Sequence, residues 1–185
     1  MCETKTKLTS DVSLPERVRM AATIYLKARQ TFTYCLHLFQ SDQHNQSEHL
    51  NVLQYDYFSL TIIEFAKLFC NSSNQKSNLL LLLDNVISSF PDTENESKDL
   101  FVFMGFREDF NKYLEAIDKI RTLRDQLYAH SDYTYKPITL DSDFITKLES
   151  LQKLAGRIIP KLYNKILGAS PIYFPGFNLS DFRIA

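Results

Sequence analysis

Hydrophobic residues recur along most of the chain at the three- and four-residue intervals that place them on one face of an α-helix. The first such segment starts at Ser13, which can cap a helix, with Pro15 suited to the first turn and Glu16 completing a capping box. This helix is expected to end before the polar loop 41–48. The apolar or small residues of its seam are Val18, Ala21, Tyr25, Ala28, Phe32, Cys35 and Phe39.

The same spacing predicts four further helices. A second helix covers about 50–70, and a short, leucine-rich third covers 79–90. A fourth runs from about 107 to 130, and a fifth from 141 or 142 to 168. Glycine is scarce, and no strand-rich block alternates with these segments. The pattern therefore favours an all-α, up-and-down bundle of four to five main helices.

Three features qualify this assignment. Residues 99–106 fit either a short helix or an extended stretch, with a break at Gly105. Pro160 is expected to kink the fifth helix or split it in two, because proline lacks the backbone N–H that an interior turn needs. Gly168 is suited to ending that helix in a left-handed conformation.

The chain has 185 residues, of which 44% are hydrophobic, and this is enough for one folded domain with its own core. We expect this domain to be residues 13–168, preceded by a flexible, polar N-terminus at 1–12. The tail 169–185 is predicted to pack on the bundle as an arm. Its aromatic residues are Tyr173, Phe174, Phe177 and Phe182.

Charge, apolar runs and cysteines narrow the class of protein. A net charge of −1 and a pI of about 6.4 argue against a general nucleic-acid coat protein, so any nucleic-acid contact must come from a local patch. The longest apolar run, Leu79–Leu83, is far shorter than a membrane span, and the N-terminus has no signal-peptide pattern. Cys35 and Cys70 lie on apolar helical faces and are expected to be reduced. A cytoplasmic protein without membrane contact is predicted.

One residue breaks the hydrophobic seam of the fourth predicted helix. The seam runs from Phe110 to Ile120, and its next positions are Arg124 and Leu127. A guanidinium on an apolar seam is unfavourable unless a partner compensates it. Arg124 and His130 flank Leu127 at about 60° to either side and lie about 9 Å apart along the axis. A two-fold dimer that crosses near Leu127 would bring both pairs into one cleft.

The string from Arg124 to His130, R-D-Q-L-Y-A-H, resembles the Arg-x(4–6)-His motif of HEPN domains. Together with Asp132 it is most similar to the abortive-infection AbiU-type branch of that family. The resemblance covers roughly residues 14–168, with two long helices, a short leucine-rich helix, and the motif at the end of a long later helix.

HEPN proteins are small helical bundles that dimerise through the motif helix, and many are metal-independent endoribonucleases of toxin–antitoxin, abortive-infection and other defence systems. The resemblance implies that Arg124 and His130 are the catalytic pair and that Asp125 helps to orient the site. In one HEPN branch an antitoxin modifies a tyrosine two residues after the histidine. Here that position is Asp132, and Tyr133 follows it, so this modification is not expected. Other HEPN proteins have lost the activity, which makes an inactive interaction or RNA-binding module the alternative.

The two residue types suit RNA cleavage because RNA carries its own nucleophile, the 2′-OH. Histidine titrates near neutral pH and can move the protons, while arginine keeps its charge and binds phosphate oxygens through two N–H groups. We therefore expect RNA as substrate, no DNA cleavage and no cofactor. The resemblance to HEPN toxins implies an antitoxin protein as a further partner. Without the family context, an arginine and a histidine at a helix end more commonly act as caps or dipole partners.

Further side chains are candidates for supporting the site. Glu64, at the edge of the apolar stripe of the second helix, can pair with Arg124, although a solvated edge position is its commoner role. Tyr128 can stack on a base or donate a hydrogen bond in the cleft, or simply pack at an interface. Asp132 completes this supporting set.

A basic stripe repeats every four residues along the fifth predicted helix, and Arg121 adds a charge on the motif helix. Such a stripe can guide an RNA backbone or dock an acidic partner, although it is more commonly a solvated face. The residues of the stripe are Lys153, Arg157, Lys161 and Lys165. Other chemistries find little support, because the sequence has no Glu-x-x-His pair, no zinc-like spacing of Cys and His, and no phosphate-binding glycine loop.

Overall fold

The computed structural model describes residues 12–40, 47–70, 77–91, 98–129 and 141–168, and every regular element within these ranges is an α-helix. Buried residues of all the described helices except α5's last turns join one hydrophobic core. The expected all-α fold is confirmed for this part of the chain. The helices are α1 (Leu14–Gln40), α2 (Glu48–Phe69), α3 (Leu79–Ser88), α4 (Lys98–Asn111), α5 (Leu114–Ala129) and α6 (Ser142–Leu167).

Aromatic side chains connect three of these helices at the centre of the core. α1 packs most extensively on α2 and also lies along α6. The rings of Phe32 in α1 and Phe65 in α2 are 5.6 Å apart between centroids, and Phe65 meets Phe69 edge to face at 5.7 Å. Phe69 in turn lies 6.0 Å from Phe110 of α4. Each such pair contributes about 0.5–1.5 kcal/mol beyond the burial of its area.

α3 is a short helix that is capped at its start. The side chain of Asn78 accepts hydrogen bonds from the backbone N–H groups of Leu80 and Leu81, at 2.9 and 3.1 Å. The cap satisfies two donors that the first turn of a helix otherwise leaves unpaired. α3 packs mainly on α4, and Arg107 of α4 pairs with Asp84 of α3 at 2.7 Å.

The helix expected over 107–130 is in fact two helices. Residues 99–106 are helical and belong to α4, so the predicted break at Gly105 is wrong. α4 ends at Asn111, and the N–H of Tyr113 donates to the carbonyl of Phe110 at 3.0 Å in the tight turn before α5. Core positions three residues apart fit a tight turn as well as an α-helix. The spacing alone does not distinguish the two, and it predicted one continuous helix.

α6 starts and ends where the sequence indicates. The side chain of Asp141 accepts a hydrogen bond from the N–H of Asp143 at 3.0 Å, and Gly168 ends the helix at a φ of 61°. Pro160 lies inside α6, and the helix is not split there. The buried neighbours Ile159 and Leu162 explain this, because their packing on the core holds the backbone helical where one hydrogen bond is lost.

The two cysteines of the described helices are buried and form no disulfide, as expected. Burial raises the pKa of the Cys35 thiol to about 12. None of the described helices is long and apolar enough to cross a bilayer. The predicted arm 169–185 and almost all of the predicted N-terminus 1–12 lie outside the described residues, and the domain boundaries therefore stay predictions.

Candidate active site

α5 carries Arg124 on the side that packs against the core. Ile117 and Ile120 on this side are buried, and Leu127, one turn beyond the arginine, is partly buried. The side chain of Arg124 is only 20% exposed, whereas Arg121, one turn earlier, lies on the solvent side and pairs with Asp118 at 3.1 Å. The structure thus places Arg124 on the seam, where the spacing predicted it.

The guanidinium of Arg124 is held by its neighbour in sequence. Its Nε and Nη2 groups both donate to Oδ1 of Asp125, at 2.9 and 2.7 Å. The Asp125 side chain is 61% exposed and lies on the solvent side of α5. Among the described residues only this edge of the planar guanidinium is occupied, and the Nη1/Nη2 edge has the geometry to bind a planar or tetrahedral anion.

The C-terminal end of α2 lies beside this arginine. The thiol of Cys70 donates a weak hydrogen bond to the carbonyl of Ile117 at 3.6 Å, which fixes the start of α5 against the end of α2. Burial raises the pKa of the Cys70 thiol, and the charge of Arg124 is the strongest influence that opposes this rise. The guanidinium of Arg124 therefore lies close enough to the end of α2 to influence the pKa of the thiol there.

Glu64 has a different environment from the one predicted. It is buried rather than solvated, and its Oε1 accepts a hydrogen bond from Nζ of Lys67 at 2.7 Å. Its Oε2 is buried without a hydrogen-bond partner among the described residues. Lys67 lies one turn later on the same helix and pairs with Glu64, whereas Arg124 pairs with Asp125. The predicted pairing of Glu64 with Arg124 is not formed.

The second member of the predicted catalytic pair lies outside the described residues. α5 is described as far as Ala129, and His130 is the next residue. Asp132 also lies outside them, and the side chain of Tyr128 is not described. The described part of the site is therefore Arg124 with Asp125, at the core-facing edge of the last turns of α5.

The basic residues of the α6 stripe are exposed and lie in different surroundings along the helix. Because an α-helix has 3.6 residues per turn, each step of four residues turns 40° beyond one full turn, and four such residues spread over about 120°. At one end, Lys153 lines a groove between α1 and α6 together with Arg29 and Glu149. At the other end, Nζ of Lys165 lies 4.3 Å above the ring of Phe90.

The middle of the stripe is engaged by α4. Arg157 pairs with Asp109 at 3.3 Å, and its guanidinium lies 5.9 Å from the centre of the Phe106 ring. The hydrogen bond from Lys112 lowers the pKa of Asp109, and the charge of Arg157 adds to this effect. Lys161 lines a groove at the first turns of α4. Arg157 is thus paired with α4, while all four basic residues of the stripe remain exposed, and the predicted contact with RNA stays a prediction.

No group of three or more histidine, cysteine, aspartate or glutamate side chains is arranged to hold a metal ion within the described ranges. Comparison with protein-family models, with curated proteins and with solved structures gave no match for this chain. The functional argument therefore depends on the residues of the site and their surroundings.

Proposed function

We propose that this chain is a metal-independent endoribonuclease of the HEPN type, acting as a homodimer and as the cytoplasmic toxin of an abortive-infection or toxin–antitoxin system. The up-and-down arrangement of the bundle and an antitoxin partner belong to the same proposal. The observation that supports it most is the position of Arg124, which is mostly buried on the core-facing side of α5, six residues before His130, and held by Asp125.

The surroundings of Arg124 favour a chemical role over a structural one. An arginine that stabilises a helical core is expected to pair with a buried carboxylate of another helix. The partner of Arg124 among the described residues is instead an exposed residue of its own helix, and a pair of this kind contributes about 0–1 kcal/mol. The buried carboxylate of α2, Glu64, pairs with Lys67. Arg124 thus gains little stability from its partner, as expected for a residue retained for function.

The contacts of Arg124 suit a phosphate group. Asp125 occupies the Nε/Nη2 edge and fixes the orientation of the guanidinium, so the remaining edge is available to two phosphate oxygens. In the proposed reaction His130 exchanges protons with the 2′-oxygen and the 5′-oxygen. The 2′-oxygen attacks phosphorus, the bond to the 5′-oxygen breaks, and Arg124 stabilises the charge of the phosphorane. The products are a 2′,3′-cyclic phosphate and a 5′-hydroxyl.

A second subunit would bring together an arginine and a histidine that one straight helix keeps apart. The early part of α5 is covered by its own core at Ile117 and Ile120, whereas Arg124 and Leu127 are only partly covered. A two-fold partner that crosses α5 near Leu127 would bury this end and bring Arg124 of one chain toward His130 of the other.

The direct test is cleavage of labelled RNA by the purified protein in the presence of EDTA. We expect products that end in 2′,3′-cyclic phosphate, and a loss of at least about 100-fold in rate for Arg124→Ala and for His130→Ala. Arg107→Ala is the matched control, because Arg107 forms an ion pair of the same 2.7 Å length on α4. Cleavage that survives both substitutions, or that EDTA abolishes, would contradict the mechanism.

Growth provides a parallel test of the toxin role. Induction of the unaltered chain should slow its host, and Arg124→Ala and His130→Ala should each restore growth, while Arg107→Ala should not. Toxicity that persists in both site variants would rule out the proposed toxin mechanism.

Mixing the two inactive variants tests whether the site is shared between subunits. If each site takes Arg124 from one chain and His130 from the other, half of the dimers in an equimolar, fully exchanged mixture are mixed and each carries one complete site. About a quarter of the original activity should then return. No recovery would refute the shared site while leaving the nuclease activity itself intact. A stable dimer that binds RNA without cleaving it would instead identify the inactive interaction module.

A further inference from the structure

The first turns of α4 carry exposed apolar side chains on their outer side that no described residue covers, whereas the exposed Glu108 lies on the same side at the next turn. The inner side of the helix, with Leu100, Phe103 and Phe110, is buried. On the outer side Phe101 is 58% exposed and Met104 is 43% exposed. Contiguous exposed apolar side chains of this size usually mark a surface that another segment or molecule covers.

Gly105 lies on the same outer side, one turn after Phe101. A glycine inside a helix is less favourable than alanine. No atom lies within 4 Å of the position that a Cβ at Gly105 would take, so no described neighbour requires the small residue. The glycine leaves a shallow notch beside Phe101 and Met104 that an aromatic ring from outside the described residues can enter.

A groove lies between the first turns of α4 and the last turns of α6. It has a volume of about 250 Å³ and is lined by Val102 and Phe103 of α4 and by Asn164 and Lys165 of α6, among others. α6 ends one turn later, at Gly168. The described end of α6 therefore lies beside the first turns of α4.

The composition and length of the following segment match this surface. Residues 169–185 contain one acidic and one basic residue, and seven large apolar side chains. Seventeen residues can extend to about 56 Å, whereas α4, with 14 residues, is about 21 Å long. The segment thus reaches along the whole helix. Its large apolar residues are Ile172, Tyr173, Phe174, Phe177, Leu179, Phe182 and Ile184.

We propose that residues 169–185 lie across the outer side of α4, with their apolar side chains against Phe101, Val102 and Met104 and one aromatic ring over Gly105. The arm would then remove from water the largest apolar surface of α4. The proposal is independent of the nuclease function.

The chain has no tryptophan, so a single introduced indole reports on the arm alone. We would prepare full-length chains with Phe174→Trp or Phe177→Trp, and combine each with Phe101→Asp. The control is Leu60→Asp on α2, because Leu60 is a comparable apolar residue that is 45% exposed. Far-UV circular dichroism checks the fold of each variant, and Met104→Asp replaces Phe101→Asp if that chain does not fold.

Docking predicts that at least one of the two tryptophans emits at shorter wavelength, and is quenched less by acrylamide, than in the denatured chain. Phe101→Asp should remove both effects, and Leu60→Asp should leave them unchanged. Emission like that of the denatured chain in both parents would overturn the proposal. A blue shift that Phe101→Asp does not change would mean that the arm packs on a different surface. A blue shift that disappears on dilution would mean that a second copy of the chain covers α4. Both results also overturn docking of the arm on its own α4.

Discussion

Replacement of Arg124 by methionine should abolish RNA cleavage while leaving the stability of the fold nearly unchanged. The ion pair that is lost, with the exposed Asp125, contributes about 0–1 kcal/mol. Methionine keeps much of the buried aliphatic contact of the arginine stem and no longer holds a charge beside an apolar seam. Because the two effects oppose each other, the free energy of unfolding should change by less than about 1 kcal/mol in either direction.

Urea titration followed by far-UV circular dichroism measures this change, with RNA cleavage measured on the same preparations. Ile120→Ala provides the scale, since Ile120 lies one turn before Arg124 and is fully buried, and truncation of such a residue costs about 2–5 kcal/mol. A loss of about 3–5 kcal/mol in Arg124→Met would show that the guanidinium balances a buried charge and holds the fold together. The inference of a functional arginine from its weak partner would then be wrong.

Three further predictions concern the fold. Gly156→Ala should destabilise the fold, because a Cβ there would lie 2.6 Å from the Tyr25 hydroxyl. In a Tyr25→Phe background the same substitution should instead recover about 1 kcal/mol of helix propensity. Urea-unfolding free energies that are additive over the four proteins of this cycle would refute the clash. Asn78→Ala should lower the unfolding free energy by about 1–2 kcal/mol and Asn78→Ser by less, and equal losses would argue against the cap. With a pKa of about 12, Cys35 is about one part in 10,000 thiolate at pH 8. Native protein should therefore react far more slowly with iodoacetamide than unfolded protein, and the rate of the native protein should still rise above pH 9. Mass spectrometry of the Cys35 peptide measures both reaction rates.

The helices that the sequence predicted best are those with seams longer than four turns. α1 and α6 repeat apolar residues over 27 and 26 residues, and Asp141 and Gly168 supply end signals that act within one turn. Local hydrogen bonds and one-sided burial decide such elements, and both are visible in the order of residues. The seam position of Arg124 follows from the same periodicity.

The break between α4 and α5 was not predictable from that periodicity. Phe110 and Tyr113 are three residues apart, and the chain can bring both to the core either through an α-helix or through the tight turn that the structure has. The cap at Asn78 was missed although its signal is local, since an asparagine directly before the leucine run can accept from the N–H groups two and three residues later. The exposed apolar side of α4 also escaped prediction, because it depends on which helix lies opposite, and the spacing within one helix does not contain that information.

For charged residues too, the sequence predicted the helix face on which each residue lies but not the residue with which it pairs. The spacing put Glu64 and Arg124 on neighbouring stripes of α2 and α5, and the four-residue repeat suggested one basic surface on α6. In the structure Glu64 pairs with Lys67 of its own helix, and Arg157 pairs with Asp109 of α4. A salt bridge needs its atoms within about 4 Å, and a helix of 3.6 residues per turn moves a four-residue repeat out of line by 40° at each step.

The pairing of Glu64 with Lys67 bears directly on the functional argument. If Glu64 balanced Arg124 across the α2–α5 contact, the arginine would have a structural explanation and its place on the seam would say nothing about chemistry. Since Lys67 takes that carboxylate, the described partner of Arg124 is Asp125, whose main effect is to fix the direction of the guanidinium. An oriented, weakly compensated positive charge at the edge of a core is a poor means of stabilising a helix and a good means of binding phosphate. Stability and RNA cleavage must therefore be measured together on Arg124→Met, because only a residue with a functional role lets the two change independently.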